Sequence, residues 1–542
     1  MKKQGFLLSS LILIITVIIT KILGLIYKIP LTNILGGEGF GYYSVAYSVF
    51  MPMFSISVSG ITQSISRLVS ENAIFERYKN VRKIKRVALL FFSLIGIAFT
   101  LLTVIIALPV CVYIVKEPSS IWSVIAISPC IFIGTQLSVL RGYYEGLRNM
   151  TPTAFTEVLE SCFKIVFGLG LAFWGAENCD RFFIKGLPFV SACAISGVTI
   201  ANLLSCMILI IYQKIKGDGI TKQMINSDLS TDRMRDLLQA ILKISMPIAI
   251  AFAITTLGGF IDTLTINHSI RNAIRNSPEY FSHKFGLTFS DESLPTFIYG
   301  SYTGLTLTIF GLIPSMVSIF GKSILPVISE DMARGYYNEV SKKINSVLFI
   351  TALISIPSAM GIFTFSDEIL TLLFPTKAME ILACRDSLKI LCAGMVFLCM
   401  SSPIYSILQA ISKPKVSVRI MLTACVVKMI LNYYLVSIPR LNIAGAAVAA
   451  TFSYGIILLM SVYELTKVAK VKISYRKIFV KPFFASFMCV MTAKSCFDLV
   501  TMHSNFVLSL VISVFLGVII YIFSLYLLSV LTKNEIKWLF FK

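Results

Sequence analysis

Residues 506–530 read FVLSLVISVFLGVIIYIFSLYLLSV, a run of 25 residues without a charged side chain. An α-helix rises about 1.5 Å per residue, so about 20 apolar residues cross the roughly 30 Å hydrocarbon core of a bilayer. Lipid offers no hydrogen-bond partner to an open backbone, so a run of this kind must be helical where it crosses. The run therefore predicts a transmembrane helix.

The same pattern recurs along the whole chain. Apolar residues make up 56% of the 542 residues, charged residues only 14%, and the mean hydropathy is +0.83. An average soluble domain carries about 25% charged residues. Long apolar runs ended by Lys, Arg, Pro or Gly predict an all-α polytopic membrane protein with about fourteen transmembrane helices. They begin near Phe6, Gly41, Val87, Ile121, Thr153, Pro188, Ile241, Phe297, Ser346, Leu388, Ile420, Ala444, Pro482 and Phe506.

The basic residues predict the orientation of the spans. With Met1 in the cytoplasm, the inner segments hold about three times as many Lys and Arg residues as the outer ones, as the positive-inside rule requires. The first apolar run follows Met-Lys-Lys, but it is too long for a signal peptide and lacks a small-residue cleavage site, so we expect it to be retained. We therefore predict a multi-pass protein of the plasma membrane with both termini cytoplasmic.

Several classes of function are disfavoured by composition and motifs. The net charge of +21 favours contact with anionic membrane lipids over nucleic acid, because the basic runs flank apolar spans. The twelve cysteines form no C-x-x-C pair and the three histidines show no metal spacing, so we expect no metal site and no cofactor. Gly321-Lys322-Ser323 resembles the end of a P-loop, but Met316 stands where that motif needs glycine. We find no catalytic constellation and predict that the protein is not an enzyme.

A weak internal repeat divides the chain. The segment SISRLVSE at 64–71 matches SILPVISE at 323–330, and Lys164 coincides with Lys428 at a similar offset. Six spans in each of two parallel copies are typical of transporters that bind substrate between the copies. The predicted domains are a first lobe at 1–240 with spans 1–6, a second lobe at 241–468 with spans 7–12, and a C-terminal helical pair at 469–542 with spans 13–14.

Six basic residues lie within the predicted spans or near their ends, and we interpret them as candidate substrate-binding residues. A charge inside a bilayer costs a few kcal/mol on insertion scales, so an intramembrane cation is a functional hypothesis. The alternative for those near span ends is a long side chain that reaches the headgroups without a substrate role. The six are Lys21, Lys28, Arg67, Lys164, Lys322 and Lys428.

The acidic candidates are fewer. Glu160 precedes Lys164 by four residues, the better order for a helical ion pair. Asp262 lies near the outer end of the seventh span, and Glu38 lies between the first two spans. We interpret the three acids as ion-coupling residues or as members of structural pairs, with H⁺, Na⁺ or the membrane potential as the driving agent.

Five motifs carry a resemblance to a known family. They are TKILGLIYK at 20–28, GGEGFGYY at 36–43, RLVSE at 67–71, YGSYTG at 299–304 and LPVISE at 325–330. Together they resemble the stage V sporulation protein B family. That family is grouped with polysaccharide and lipid II flippases in the multidrug/oligosaccharidyl-lipid/polysaccharide exporter superfamily.

The resemblance implies two six-helix lobes that form a V-shaped, cationic cavity for a lipid diphosphate, and two extra helices that form a groove for a polyprenyl tail. Lys21 matches an arginine position of the lipid II flippases. Tyr27 stands at the position of a second arginine, with Lys28 one residue later and rotated by about 100° around the helix.

The predicted function is export of an undecaprenyl-diphosphate-linked precursor of peptidoglycan or another polysaccharide, with spore cortex as one destination. The expected partners are the lipid-linked glycan, anionic lipids and proteins of envelope synthesis. One alternative is a cation-coupled multidrug exporter of the same superfamily, which would prefer acidic groups in its cavity. The other is a membrane scaffold for envelope synthesis that transports nothing.

Overall fold

A computed structural model describes residues 6–181, 185–221, 224–225, 231–286, 293–410, 414–469 and 473–528, and these contain helices but no strand. We number the α-helices α1 to α20 in chain order. They are α1 Phe6–Val58, α2 Ile61–Ile74, α3 Tyr78–Pro109, α4 Ile121–Ile127, α5 Pro129–Gly146, α6 Thr151–Phe163, α7 Gly170–Asn178, α8 Leu187–Lys216, α9 Met234–Asn276, α10 Pro278–Phe285, α11 Leu294–Ser301, α12 Leu307–Phe310, α13 Leu312–Ala333, α14 Tyr337–Thr364, α15 Ser366–Leu373, α16 Ala378–Ala410, α17 Pro414–Val436, α18 Ile443–Ala469, α19 Lys481–Thr501 and α20 Phe506–Leu527.

The described helices confirm the predicted fold class. Twelve continuous helical stretches, some made of two numbered helices, are long and apolar enough to cross a membrane. Two further stretches, Leu294–Phe310 and Leu312–Ser318, meet at a bend of 43° and together form a thirteenth candidate span. The first of the twelve runs from Ile15 to Ile74 and contains the first two predicted spans. The chain is therefore a multi-pass helical membrane protein.

Gly36 separates those first two spans. The 53 residues of α1 would form a rod of about 80 Å, far longer than one bilayer crossing. Gly36 has φ 63° and ψ −173°, a conformation that glycine adopts without the steric penalty of a Cβ atom. The chain therefore breaks at this residue, and α1 consists of two arms.

The chain divides into two compact units. The first comprises Met1–His268 with Phe289–Gly304, and the second comprises Ser269–Thr288 with Leu305–Lys542. One core of the first unit joins α2, α3 and α5 to the beginning of α9, with Ile65, Ile84 and Ile241 fully buried. A core of the second unit joins α14, α16 and the C-terminal pair of helices.

The predicted domain boundaries after residues 240 and 468 follow the internal repeat, whereas the two units follow packing. Under the packing criterion, most of α9 and all of α11 belong to the first unit. The repeat itself is not tested by this division, so the three predicted domains stay predictions.

Two spans contain a π-helical turn in their interior. One runs from Lys164 to Leu169 between α6 and α7, and the other runs from Tyr302 to Thr306 between α11 and α12. A π-turn widens the helix, redirects its side chains and is frequent at functional sites. The first of these turns begins at a predicted site lysine.

Candidate functional site

An aromatic face on the second arm of α1 forms one wall of the candidate site. Tyr43 and Tyr47 are four residues apart, so their rings lie on the same side of the helix, with centroids 5.0 Å apart. Phe40 continues the row, 5.4 Å from Tyr43. The hydroxyl of Tyr27, on the first arm, lies 3.2 Å from the hydroxyl of Tyr43. The two arms of α1 thus meet through tyrosine side chains.

Lys164 lies against this wall. Its Nζ donates a hydrogen bond to the Tyr47 hydroxyl at 3.3 Å and lies 5.0 Å from the centre of the Tyr27 ring. Gly168, four residues further along the π-turn, gives the Tyr27 ring its space, because a Cβ atom there would lie 2.6 Å from a ring carbon. The π-turn and this glycine therefore fit Lys164 and Tyr27 to each other.

Lys28 is a second cation in the same unit. Its Nζ donates to the backbone carbonyl of Thr303 at 3.4 Å and lies 5.5 Å from the centre of the Phe40 ring. Tyr27, whose ring contacts Lys164, directly precedes Lys28 in the sequence. We call Lys28, Lys164, Tyr27, Tyr43 and Tyr47 the lysine-tyrosine cluster.

Neither lysine of the cluster has a carboxylate within ion-pair distance among the described residues. Both are only partly exposed. Rings and neutral oxygens stabilise an ammonium group, but each contact contributes only about 0.5–2 kcal/mol. The positive charges of Lys28 and Lys164 are therefore not balanced by a carboxylate among the described residues. The chemistry that this cluster can perform is the binding of an anion.

Glu160 does not compensate Lys164 in the way that the spacing predicts. It accepts a hydrogen bond from Nη2 of Arg141 at 2.9 Å, and Arg141 also donates to the hydroxyl of Thr156. The guanidinium of Arg141 reaches across from α5 and takes the carboxylate, while the π-turn that begins at Lys164 carries the lysine toward the tyrosines. The i,i+4 pair of the sequence prediction is therefore replaced by an ion pair between two helices.

The structure describes the side chains of three of the four other basic candidates. Lys21 is exposed on the first arm of α1, and Arg67 is exposed on α2 and paired with Glu71 at 2.8 Å. Lys428 lies in the second unit with its Nζ 6.0 Å from the centre of the Tyr454 ring. The side chain of Lys322 lies outside the described residues.

The remaining acidic candidates are Asp262 and Glu38. Asp262 is partly exposed on α9, and Glu38 accepts a hydrogen bond from the Tyr42 hydroxyl at 2.7 Å. The sequence pattern does not predict the cluster tyrosines, Tyr27, Tyr43 and Tyr47, as binding residues. The i,i+4 spacing of Tyr43 and Tyr47 in a lipid-embedded helix was the available signal, but it is also the pattern of ordinary packing.

A groove in the second unit has the opposite character. It encloses about 790 Å³ between α14, α16 and α19 and is lined almost wholly by apolar atoms. Aromatic rings are prominent in the lining, among them Phe363, Phe397, Phe483 and Phe487. A second apolar groove of about 500 Å³ lies on the side of α20. These grooves are suited to hydrocarbon chains.

Comparison with known proteins decides the family. A sequence model described as polysaccharide biosynthesis protein matches residues 6–332. The chain belongs to the polysaccharide biosynthesis protein family. A second model, MatE, matches residues 301–434 of this family member. These matches confirm the predicted exporter superfamily.

Two curated relatives of this polysaccharide biosynthesis family member come from Bacillus subtilis strain 168. Stage V sporulation protein B is 24% identical over 480 residues, which cover 88% of this chain and 86% of the relative. The lipid II flippase MurJ is 22% identical over 458 residues, which cover 82% and 80%. The relatives are thus matched over most of their length.

Solved structures extend the likeness to the fold. The inward closed conformation of the lipid II flippase MurJ matches with a TM-score of 0.64 at 16% identity, over 94% of this chain and 97% of that one. An inward-facing multidrug resistance transporter of the MATE family matches with a TM-score of 0.59 at 14% identity, over 83% and 96%. At these identities the likeness shows the fold of this family member.

Proposed function

We propose that this protein is a flippase that exports a polyprenyl-diphosphate-linked precursor of the cell envelope across the plasma membrane. The observation that carries the proposal is the lysine-tyrosine cluster, in which Lys28 and Lys164 have no carboxylate partner among the described residues. A diphosphate supplies the missing negative charge. The sequence relationship to a lipid II flippase supports the same class of substrate.

The chemistry of the cluster suits a carrier that must release its substrate. Lysine binds phosphate as a point charge and lacks the two-pronged fork of arginine. The tyrosine hydroxyls around Lys164 add neutral donors, so the anion is recognised without a rigid bidentate clamp. In our proposal the anion enters the site from one side of the membrane, and the protein then closes the site on that side and opens it on the other. The anion leaves there, with no covalent bond made or broken.

The apolar groove between α14, α16 and α19 supports the lipid half of the proposal. A polyprenyl chain needs a path lined by apolar atoms when its diphosphate leaves the headgroup layer. The rings of Phe363, Phe397, Phe483 and Phe487 supply such a path within the second unit. We propose that the tail occupies this groove while the headgroup is bound elsewhere.

The membrane potential is the proposed driving agent. When the interior is negative, outward movement of an anion lowers its electrical free energy by about 2.3 kcal/mol per charge for each 100 mV. Asp262 or Glu160 would serve if H⁺ or Na⁺ resets the empty carrier. We propose no cofactor. The glycan is peptidoglycan or another polysaccharide, and the relationship to stage V sporulation protein B makes spore cortex one destination.

Reconstitution tests the proposal. Purified protein in liposomes receives a fluorescent lipid-linked peptidoglycan precursor, a potential is imposed, and the accessibility of the precursor in each leaflet is measured. We expect Lys164→Gln to slow movement at least about tenfold, since about 1.4 kcal/mol of lost binding is a factor of ten. Lys185→Gln, on an exposed loop residue, is the matched control and should leave movement unchanged.

The outcomes separate the candidate functions. Movement of another polyprenyl-linked glycan in place of the precursor would keep the mechanism and change the glycan. Export of cationic dyes without movement of any lipid-linked glycan would indicate a multidrug exporter. Wild-type protein that moves neither would indicate a scaffold of envelope synthesis, and both of these last results contradict the proposal.

A further inference from the structure

The connection between α8 and α9, residues 217–233, is fastened at its beginning by Asp218. The Asp218 carboxylate accepts hydrogen bonds from Arg82 on α3 at 3.2 and 3.3 Å and from the Tyr143 hydroxyl on α5 at 2.8 Å. The backbone N–H of Ile220 donates to the same carboxylate at 3.0 Å. The Asp218 side chain is only 10% exposed. Four hydrogen bonds from three residues of the first unit thus converge on one acid.

The end of the connection is fastened by Asp232. Its carboxylate accepts from Nη2 of Arg77 at 2.6 Å and from the side-chain amide of Asn80 at 2.8 Å. Its backbone N–H donates to Oδ1 of Asn80 at 3.0 Å, and its carbonyl accepts from Nζ of Lys83 at 2.6 Å. All three partners belong to the first turns of α3 or directly precede it, and α9 begins two residues after Asp232.

The connection is held by these hydrogen bonds acting together, because each one alone contributes little to its stability. A half-exposed ion pair such as Arg77 with Asp232 contributes only about 0–1 kcal/mol. Asn80, however, is fully buried, and the Asp232 carboxylate is the nearer of two acceptors for its side-chain amide, the other being Oδ1 of Asn72 at 3.3 Å. Losing the nearer acceptor of a buried amide is costly. Ile220 of the connection and Leu237 of α9 are buried in the same core as Val81 of α3. Polar and apolar contacts therefore fix both ends of the connection on one helix.

We propose that Asp218 and Asp232 form a double clasp that holds the connection and the beginning of α9 on α3. With the clasp closed, residues 217–221 and 231–241 move as one body with the first unit. Any change in α9 during a working cycle must then occur beyond Ile241. This proposal goes beyond the proposed function and does not depend on it.

Hydrogen–deuterium exchange of the full-length protein in lipid nanodiscs tests the clasp. We expect the double variant Asp218→Asn with Asp232→Asn to raise exchange in peptides covering 217–221 and 231–241 at least about tenfold, because local opening no longer breaks charged hydrogen bonds. Asp236→Asn is the matched control, since Asp236 is exposed four residues later on α9. Unchanged exchange in peptides of α16 and α18 verifies that the variant is folded.

A milder variant and a rescue complete the test. Lys83→Met removes only the bond to the Asp232 carbonyl and should raise exchange at 231–241 but not at 217–221. Arg77→Glu should raise it as well, and adding Asp232→Arg should restore part of the protection. If the double variant is folded and exchanges like wild type, the clasp does not hold the connection and the proposal is wrong. That result would leave the transport experiment unaffected.

Discussion

At the scale of single residues, the side chains of the two cluster lysines are held by residues from distant parts of the sequence. Lys28 and Lys164 were recognisable because a charge within an apolar run is conspicuous. Their contacts were not, since Thr303 lies 275 residues from Lys28 and Tyr47 lies 117 residues from Lys164. Separations of this size leave no trace in periodicity. Glu160 makes the same point, because the nearest cation in sequence is not its partner in space.

The clasp residue Asp218 allows a prediction about pH. Burial opposes its ionisation, but the hydrogen bonds from Arg82, the Ile220 N–H and Tyr143 outweigh that effect and hold the pKa of the carboxyl below its ordinary 3.8. A lowered folded-state pKa adds stability above the unfolded-state pKa, and this stability is lost as the pH falls through the folded-state value. We therefore expect the stability difference between wild type and Asp218→Asn to be constant from about pH 5 to 8 and to shrink below about pH 4.

Thermal unfolding of the two proteins in the same detergent at each pH gives that difference. Asp236→Asn again serves as the comparison and should shift little at any pH. A difference that changes between about pH 6 and 8 would contradict the assignment, because the Asp218 carboxyl would then titrate above its ordinary pKa.

At the scale of elements, the packing of α11 on the second arm of α1 predicts a point of movement. The hydroxyls of Ser44 and Thr303 lie 2.8 Å apart, and Gly300 on α11 leaves no space for a side chain against the backbone of Gly41. The π-turn at Tyr302–Thr306 and the bend after Phe310 interrupt the same span. If the protein is the proposed carrier, we expect this contact to open in each cycle.

A disulfide provides the measurement. Ser44→Cys with Thr303→Cys should stop movement of the lipid-linked precursor after oxidation, and reduction should restore it. Each single cysteine variant, oxidised in parallel, controls for the twelve native cysteines. Full activity with the disulfide formed would mean that α11 stays on α1 throughout transport.

The helices also show which features of the fold could be predicted from the sequence. Apolar length predicted the helices because it reports directly on the solvent around them. The break at Gly36 was not predicted in detail, since α1 remains helical on both sides of one residue. The π-turn at Lys164–Leu169 was not predicted either, because its apolar composition does not distinguish it from the α-helices on its two sides.

At the scale of the whole molecule, the orientation of the spans determines which connections face the cytoplasm. An even number of spans places both termini on one side, and the basic residues predict that this side is the cytoplasm. Lys185 then faces outward and Lys216 inward, at the two ends of the segment that carries α8.

The variants Lys185→Cys and Lys216→Cys, each combined with Cys179→Ser, test this orientation in intact cells with a membrane-impermeant maleimide. We expect labelling of the first variant only, and labelling of both after the membrane is opened. The reverse pattern would put the basic connections outside and would contradict the orientation that the positive-inside rule predicts.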